Sequence, residues 1–188
     1  MNYIGKKYVA FGDSITAGDY PKLLAKKLGA ELINKGVSGS IIGQNLSDMK
    51  NIDYSDVALV TLMTGTNGTG TLGDVDTDIK SDFEENANTF AGNLARFVEY
   101  IRCQNPYIKI FLLTPPNTNA RNQDLRKAVE VYKKVGEKIS VKVIDVYSNS
   151  GVHSAYKSNT DGIYSADGTH LTLLANEMVA DYIFSEIW

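Results

Sequence analysis

The 188-residue chain has one cysteine, Cys103, so it can form no internal disulfide and needs no oxidising compartment. Cys103 falls among apolar helix positions and reads as a buried small hydrophobe. Basic residues are scarce: 19 Lys and Arg stand against 22 Asp and Glu, a formal charge of −3. They are scattered, so neither a nucleic-acid-binding stripe nor a polybasic membrane-surface segment is expected. No apolar stretch is long enough to span a bilayer. Repeats, low-complexity tracts and linkers are missing too, and the length suits one domain covering residues 1–188. Residues 1–7 are short and mixed in character and run straight into a strand, so no signal peptide is expected there. Localisation stays open between the cytoplasm and secretion after signal removal. So does the oligomeric state.

Strand and helix signals alternate from end to end, which predicts an α/β domain with a mostly parallel sheet. Five short apolar runs read as buried strands: residues 8–11, 31–34, 57–63, 108–113 and 141–146. A helix follows the first, with Asp19 as its cap, Pro21 in its first turn and Gly29 just past its end. Three more helices are expected over 83–104, 123–139 and 171–187, each with an apolar stripe at helical spacing. The remaining polar and Gly-rich residues collect after each strand, at 12–18, 35–39, 64–73, 114–122 and 147–169. In an open parallel sheet these segments share one edge, where such folds bind ligands.

Chemistry-bearing residues sit in four of these segments. Ser14, in Gly12-Asp13-Ser14, ends the first strand in a glycine turn, and its hydroxyl needs a base before it can attack anything. One of only two histidines, His170, stands three residues after Asp167. On a turn entering a helix, that spacing lets the carboxylate hold one imidazole nitrogen while the other faces a hydroxyl. Acyl transfer also needs donors for a developing oxyanion. The Gly39 N–H, unshielded by a side chain, and the Asn67 carboxamide are the candidates. Taken singly, each block is also an ordinary turn or helix cap.

Taken together, Gly-Asp-Ser near the start, a glycine block, Gly65-Thr66-Asn67 and Asp167-x-x-His170 resemble the SGNH hydrolases, also called GDSL esterases/lipases. The blocks occur in that family's order and cover nearly the whole chain. The resemblance implies Ser14 as nucleophile, Asp167 and His170 as its triad partners, and an oxyanion hole of Ser14, Gly39 and Asn67. It also implies a flavodoxin-like three-layer α/β/α sandwich with a five-stranded parallel sheet, and chemistry that needs no metal or organic cofactor. One departure is plain: Gly68 stands where the family commonly has aspartate, which puts the rigidity of that loop and the aim of Asn67 in question.

Asp13 reads first as a turn-stabilising side chain, and with Asn117 and Tyr164 it is a candidate to contact substrate. His153 reads as a loop residue. Asp74, Asp76 and Asp78 echo a calcium loop, but Ile79 occupies the position of its sharp-turn glycine. The loops near the site are polar and aromatic, so the expected substrate is a small-molecule or oligosaccharide ester carrying a short acyl group such as acetyl. Lipase, lysophospholipase and aryl-esterase activities are the alternatives within the family. Outside it stand a catalytically silent ligand- or glycan-binding domain, favoured only by Gly68, and a flavodoxin-like cofactor binder. The latter would use the 65–70 glycine loop, which has no lysine for a phosphate.

Overall fold

In a computed structural model describing residues 3–119, 125–153 and 162–188, the alternating signals become a sheet sandwiched between helices. Five strands, β1 (Lys7–Gly12), β2 (Glu31–Gly36), β3 (Val57–Met63), β4 (Lys109–Leu113) and β5 (Lys142–Ile144), lie in the order β2-β1-β3-β4-β5. Every pairing is parallel. Strand alternation sorts the core into two layers. Val9, Phe11, Val60, Leu62 and Leu112 face α2 (Ile42–Asp48), α4 (Phe90–Gln104) and α5 (Leu125–Lys138). Tyr8, Ala10, Leu59 and Met63 face α1 (Tyr20–Leu28) and α7 (Leu173–Ile187). The fold is the expected α/β/α sandwich. Two short helices, α3 (Val75–Asp78) and α6 (Val146–Asn149), decorate the sheet's carboxyl edge.

The chain leaves β1 to form β2 on one side, then returns to form β3 on the other. The ends of β1 and β3 therefore flank the switch point where loops diverge and a crevice opens. Ser14 follows β1 there and Asn67 follows β3.

Several local expectations change. The helix expected over 83–104 is broken: Phe83–Glu85 is a short 3-10 turn and α4 starts at Phe90. Asn86 and Thr89 break it by bonding backbone groups themselves, Asn86 accepting from Lys80 N–H and Thr89 Oγ1 from Gly92 N–H. Asp19 makes no side-chain cap; its backbone is already helical, and Asn176 accepts the Tyr20 N–H instead. Cys103 is exposed rather than buried. It lies two residues beyond buried Ile101, about 200° around the helix at roughly 100° per residue. The last strand stops at Ile144 because Asp145 caps α6 by accepting from Ser148 N–H. Thr172 caps α7, so that helix starts at Leu173 and His170 precedes it. Residues 120–124 and 154–161, including the start expected for the 123–139 helix and parts of two edge loops, lie outside the described residues.

Among the described residues, no helix is long and apolar enough to cross a membrane.

Candidate active site

Three of the sequence-predicted residues meet at the carboxyl edge of the sheet. Ser14 Oγ lies 3.1 Å from His170 Nε2, and His170 Nδ1 lies 2.6 Å from Asp167 Oδ2. The other carboxylate oxygen, Oδ1, accepts the N–H groups of Thr169 and His170 and the Ser165 hydroxyl. These contacts hold the Asp167 carboxyl well below the usual carboxylate range. The largest cause is the bond to the His170 ring, followed by the backbone N–H groups of His170 and Thr169. An ionised Asp167 can only accept, so Nδ1 carries a proton and Nε2 presents its lone pair to the Ser14 hydroxyl, which donates. Asp167 and His170 are both more than half exposed, so water reaches the pair freely.

Asp13 does not contact ligand space. It is fully buried: Oδ1 accepts Ile15 N–H at 3.0 Å and Oδ2 accepts Thr66 N–H at 3.1 Å. Its carboxyl ties the Ser14 turn to the Asn67 loop, as its turn-stabilising reading implies, and this excludes it as a substrate contact. Burial pushes its pKa up, with the Ile15 and Thr66 hydrogen bonds opposing.

Asn67 is half-buried and donates one Nδ2 hydrogen to the Ser40 carbonyl at 3.1 Å, leaving its second hydrogen as a further donor. Ser40 in turn donates from Oγ to the Gly12 carbonyl at 3.1 Å. That carbonyl also receives Val37 N–H and the Asn45 side chain of α2, so the segment after β2 and α2 are tied to the end of β1 at one oxygen, and the Asn67 loop joins them through Ser40. Ser40 N–H closes a turn onto the Val37 carbonyl, with exposed Gly39 inside it at φ 78°, a left-handed value that glycine adopts without strain. Gly68, at φ 128°, closes a turn onto Gly65 through its N–H. A side chain is strained at such an angle, so the loop is built for glycine and its backbone bond to Gly65 supplies local support.

Asn117 and Tyr164 stand on a wall beside the Asp167–His170 loop, and neither lines the cleft at Ser14. Asn117 pairs with His153 in an isolated parallel bridge, and the Tyr164 ring lies 5.2 Å from the His153 ring. Asn119 N–H donates to the Gly168 carbonyl, joining this wall to the loop that carries Asp167 and His170.

A cleft of about 220 Å³ opens at Ser14 and His170, with Ala17, Gly18, Ser38, Leu171 and Asn176 among its walls. A larger groove of about 800 Å³, between residues 72–76 and α5, contains none of these groups and has no arranged nucleophile and base. Ser38, Leu171 and Asn176 were missed from the sequence. None left a distinctive signal there, since α7 also carries Glu177, Asp181, Ser185 and Glu186. Also unforeseen are exposed Val37, Ile41, Ile163, Leu173 and Leu174 on the segments around the cleft.

No metal-binding group of three or more His, Cys, Asp or Glu residues occurs among the described residues. The Asp74, Asp76 and Asp78 carboxylates are engaged otherwise. Asp74 caps α3, Asp76 pairs with Lys138, and Asp78 accepts from Asp74 N–H and Thr89.

Comparison with known proteins gives a family and a fold. A model of the GDSL-like Lipase/Acylhydrolase family matches residues 10–177. Among solved structures, the chain is similar to a Lactobacillus plantarum protein, with TM-score 0.80 and 20% identity over 98% of this chain and 97% of that one. A Chitinophaga pinensis protein described as a possible lipase gives TM-score 0.77 and 19% identity over 97% of each chain. A catalytic mutant of an acetylxylan esterase from Geobacillus stearothermophilus gives TM-score 0.61 and 20% identity, covering 100% of this chain and 95% of that one. A search of curated proteins returned no match.

Proposed function

Since the chain belongs to the GDSL-like Lipase/Acylhydrolase family, we propose that it is a serine esterase in which Ser14 attacks the ester, His170 moves the proton and Asp167 orients the imidazole. The observation that carries this reading is the Ser14 Oγ–His170 Nε2 approach of 3.1 Å, with Asp167 on the opposite ring nitrogen.

His170 Nε2 accepts the Ser14 proton as Oγ bonds to the ester carbonyl carbon, and the carbonyl oxygen takes the negative charge. The second Asn67 amide hydrogen and the Ser14 and Gly39 N–H groups are its donors. His170 then gives its proton to the departing alcohol oxygen, and the carbon–oxygen bond to the alcohol breaks, leaving an acyl-Ser14. Water gives a proton to the same nitrogen as its oxygen bonds to the acyl carbon; the bond from that carbon to Ser14 Oγ then breaks, Oγ takes the proton back from His170, and the acid leaves. The exposure of the pair suits this second half, because solvent needs no channel. No metal takes part in this reading, and residues 1–188 act as one catalytic domain.

We assign the substrate as a short acyl ester, acetyl first, of a carbohydrate or other polar alcohol. The small cleft supports this, with Asn117 and Tyr164 as the proposed contacts for the alcohol. The acetylxylan esterase among the similar folds fits the same substrate class. A second reading has its own observation: the exposed apolar residues beside the cleft suit a longer, lipid-like acyl chain. A panel of p-nitrophenyl esters decides between them. Acetate is expected to turn over faster than octanoate, and a preference for octanoate would transfer the assignment to the lipase reading.

A pH profile tests the base. Asp167 stays ionised well below the range in which it would otherwise titrate. An imidazolium at His170 cannot accept the Ser14 proton, so protonation of that ring stops the attack. The acid limb of kcat/KM is expected to fall with a one-proton slope. A flat limb removes His170 from its role, and a two-proton slope shows that a second group titrates with it.

A further inference from the structure

Asn176 is a buried polar residue on α7, whose other inward positions, Ala175, Val179, Ala180 and Ile183, are apolar. A carboxamide in such a place is costly unless its bonding groups are satisfied. Here they are. Oδ1 accepts the Tyr20 N–H at 2.9 Å, and Nδ2 donates to the carbonyls of Leu171 at 3.2 Å and Thr172 at 2.9 Å.

These partners belong to the two limbs that carry the reacting groups. Leu171 directly follows His170. Tyr20 opens α1 directly after the turn that holds Ser14, and Asn176 Oδ1 also lies 3.5 Å from the point where a Gly18 Cβ would stand. The Tyr20 N–H has no cap from Asp19, and Pro21 has no N–H, so the start of α1 relies on this contact from α7. Elsewhere α1 and α7 meet mainly through apolar side chains. Apolar packing is non-directional, whereas a hydrogen bond fixes both distance and angle.

We propose that Asn176 is a positioning residue for the esterase reaction. Its carboxamide locks the Ser14 turn to the His170 segment and so sets the separation of hydroxyl and imidazole. The inference rests on Ser14 and His170 being nucleophile and base. Neither leucine nor aspartate can replace the group: leucine leaves the Tyr20 N–H without its acceptor, and aspartate turns an oxygen towards two carbonyl oxygens.

The test compares Asn176→Asp, Asn176→Ala and Asn176→Ser with the unaltered protein, well below each variant's Tm. Tyr54→Phe serves as a stability control. It removes the Tyr54 hydroxyl bond to the Met49 carbonyl near the start of β3, at the opposite end of the sheet. Readouts are kcat and KM for p-nitrophenyl acetate and the second-order rate of Ser14 labelling by a fluorophosphonate. A small misplacement of reacting atoms costs up to about 100-fold in rate. Folded Asn176 variants are expected to lose about 10- to 100-fold in both kcat and labelling rate, with KM within about twofold. Tyr54→Phe should keep its labelling rate. A folded Asn176→Asp or Asn176→Ala protein labelled at the unaltered rate overturns the proposal. So does a loss confined to KM, which would make Asn176 a substrate contact, and so does failure of all three variants to fold, which would assign the carboxamide to stability alone. If the unaltered protein is not labelled at Ser14, the esterase reading itself fails, and that result is distinct from the other three.

Discussion

Ser14→Ala is expected to remove ester hydrolysis almost completely while leaving the melting curve in place. Loss of the nucleophile from a group of residues that acts as a unit costs on the order of 10⁶ in kcat. The folded state should barely notice. The Ser14 hydroxyl meets His170, an exposed side chain, and the turn itself is held by backbone groups and Asp13. A change at such a place alters stability by roughly 0.5 kcal/mol or less. Hydrolysis of p-nitrophenyl acetate and a thermal melt on one preparation check both halves. Substantial residual turnover would mean that another group attacks the ester, and a collapsed melt would mean that the serine is structural.

Gly12→Ala should have the opposite signature, a large loss of stability. A Cβ at Gly12 would fall 2.1 Å from Thr16 Oγ1 and 2.2 Å from the Met63 carbonyl oxygen, at φ +159°. The Thr16 hydroxyl can rotate, but Met63 O is backbone at the end of the central strand β3. Relief therefore requires β1 and β3 to part where they pair. It also shifts the Gly12 carbonyl, which receives Val37, Ser40 and Asn45 together. Forced overpacking of this kind costs about 3 kcal/mol. For a chain of this length that lowers Tm by roughly 6–12 °C. Urea and thermal melts measure it, and a Tm within a degree or two of the original would show that the strands yield without penalty.

Much of this architecture was legible from short sequence patterns. Val57–Met63 is apolar except for Thr61 because both its faces are covered, and its expected bounds match the observed strand. Ser14, Asn67 and His170 could be singled out because an open parallel sheet collects its carboxyl-edge loops, and these residues stand in short blocks after strands or before the last helix. What escaped depends on side-chain partners that apolar spacing does not reveal, some local and some distant in sequence. The 83–104 periodicity looked continuous because helical spacing says nothing of Asn86 and Thr89 bonding backbone groups. Asp19 seemed an obvious cap until a residue 156 positions or so downstream supplied the acceptor at 2.9 Å. Asp13, an acid beside the nucleophile, invited a role with substrate, yet it is sealed beneath the loops it joins. The apolar residues around the cleft are separated in the chain, so no run announced them.

The reacting hydroxyl and imidazole lie far apart along the polypeptide, Ser14 near one end and His170 just before the final helix. A ribosome making this chain therefore emits Ser14 156 residues before His170, the proposed nucleophile ahead of its proposed base. On the proposed mechanism, hydrolytic competence waits for His170, and a nascent or truncated product that stops between the two carries Ser14 without its proposed base.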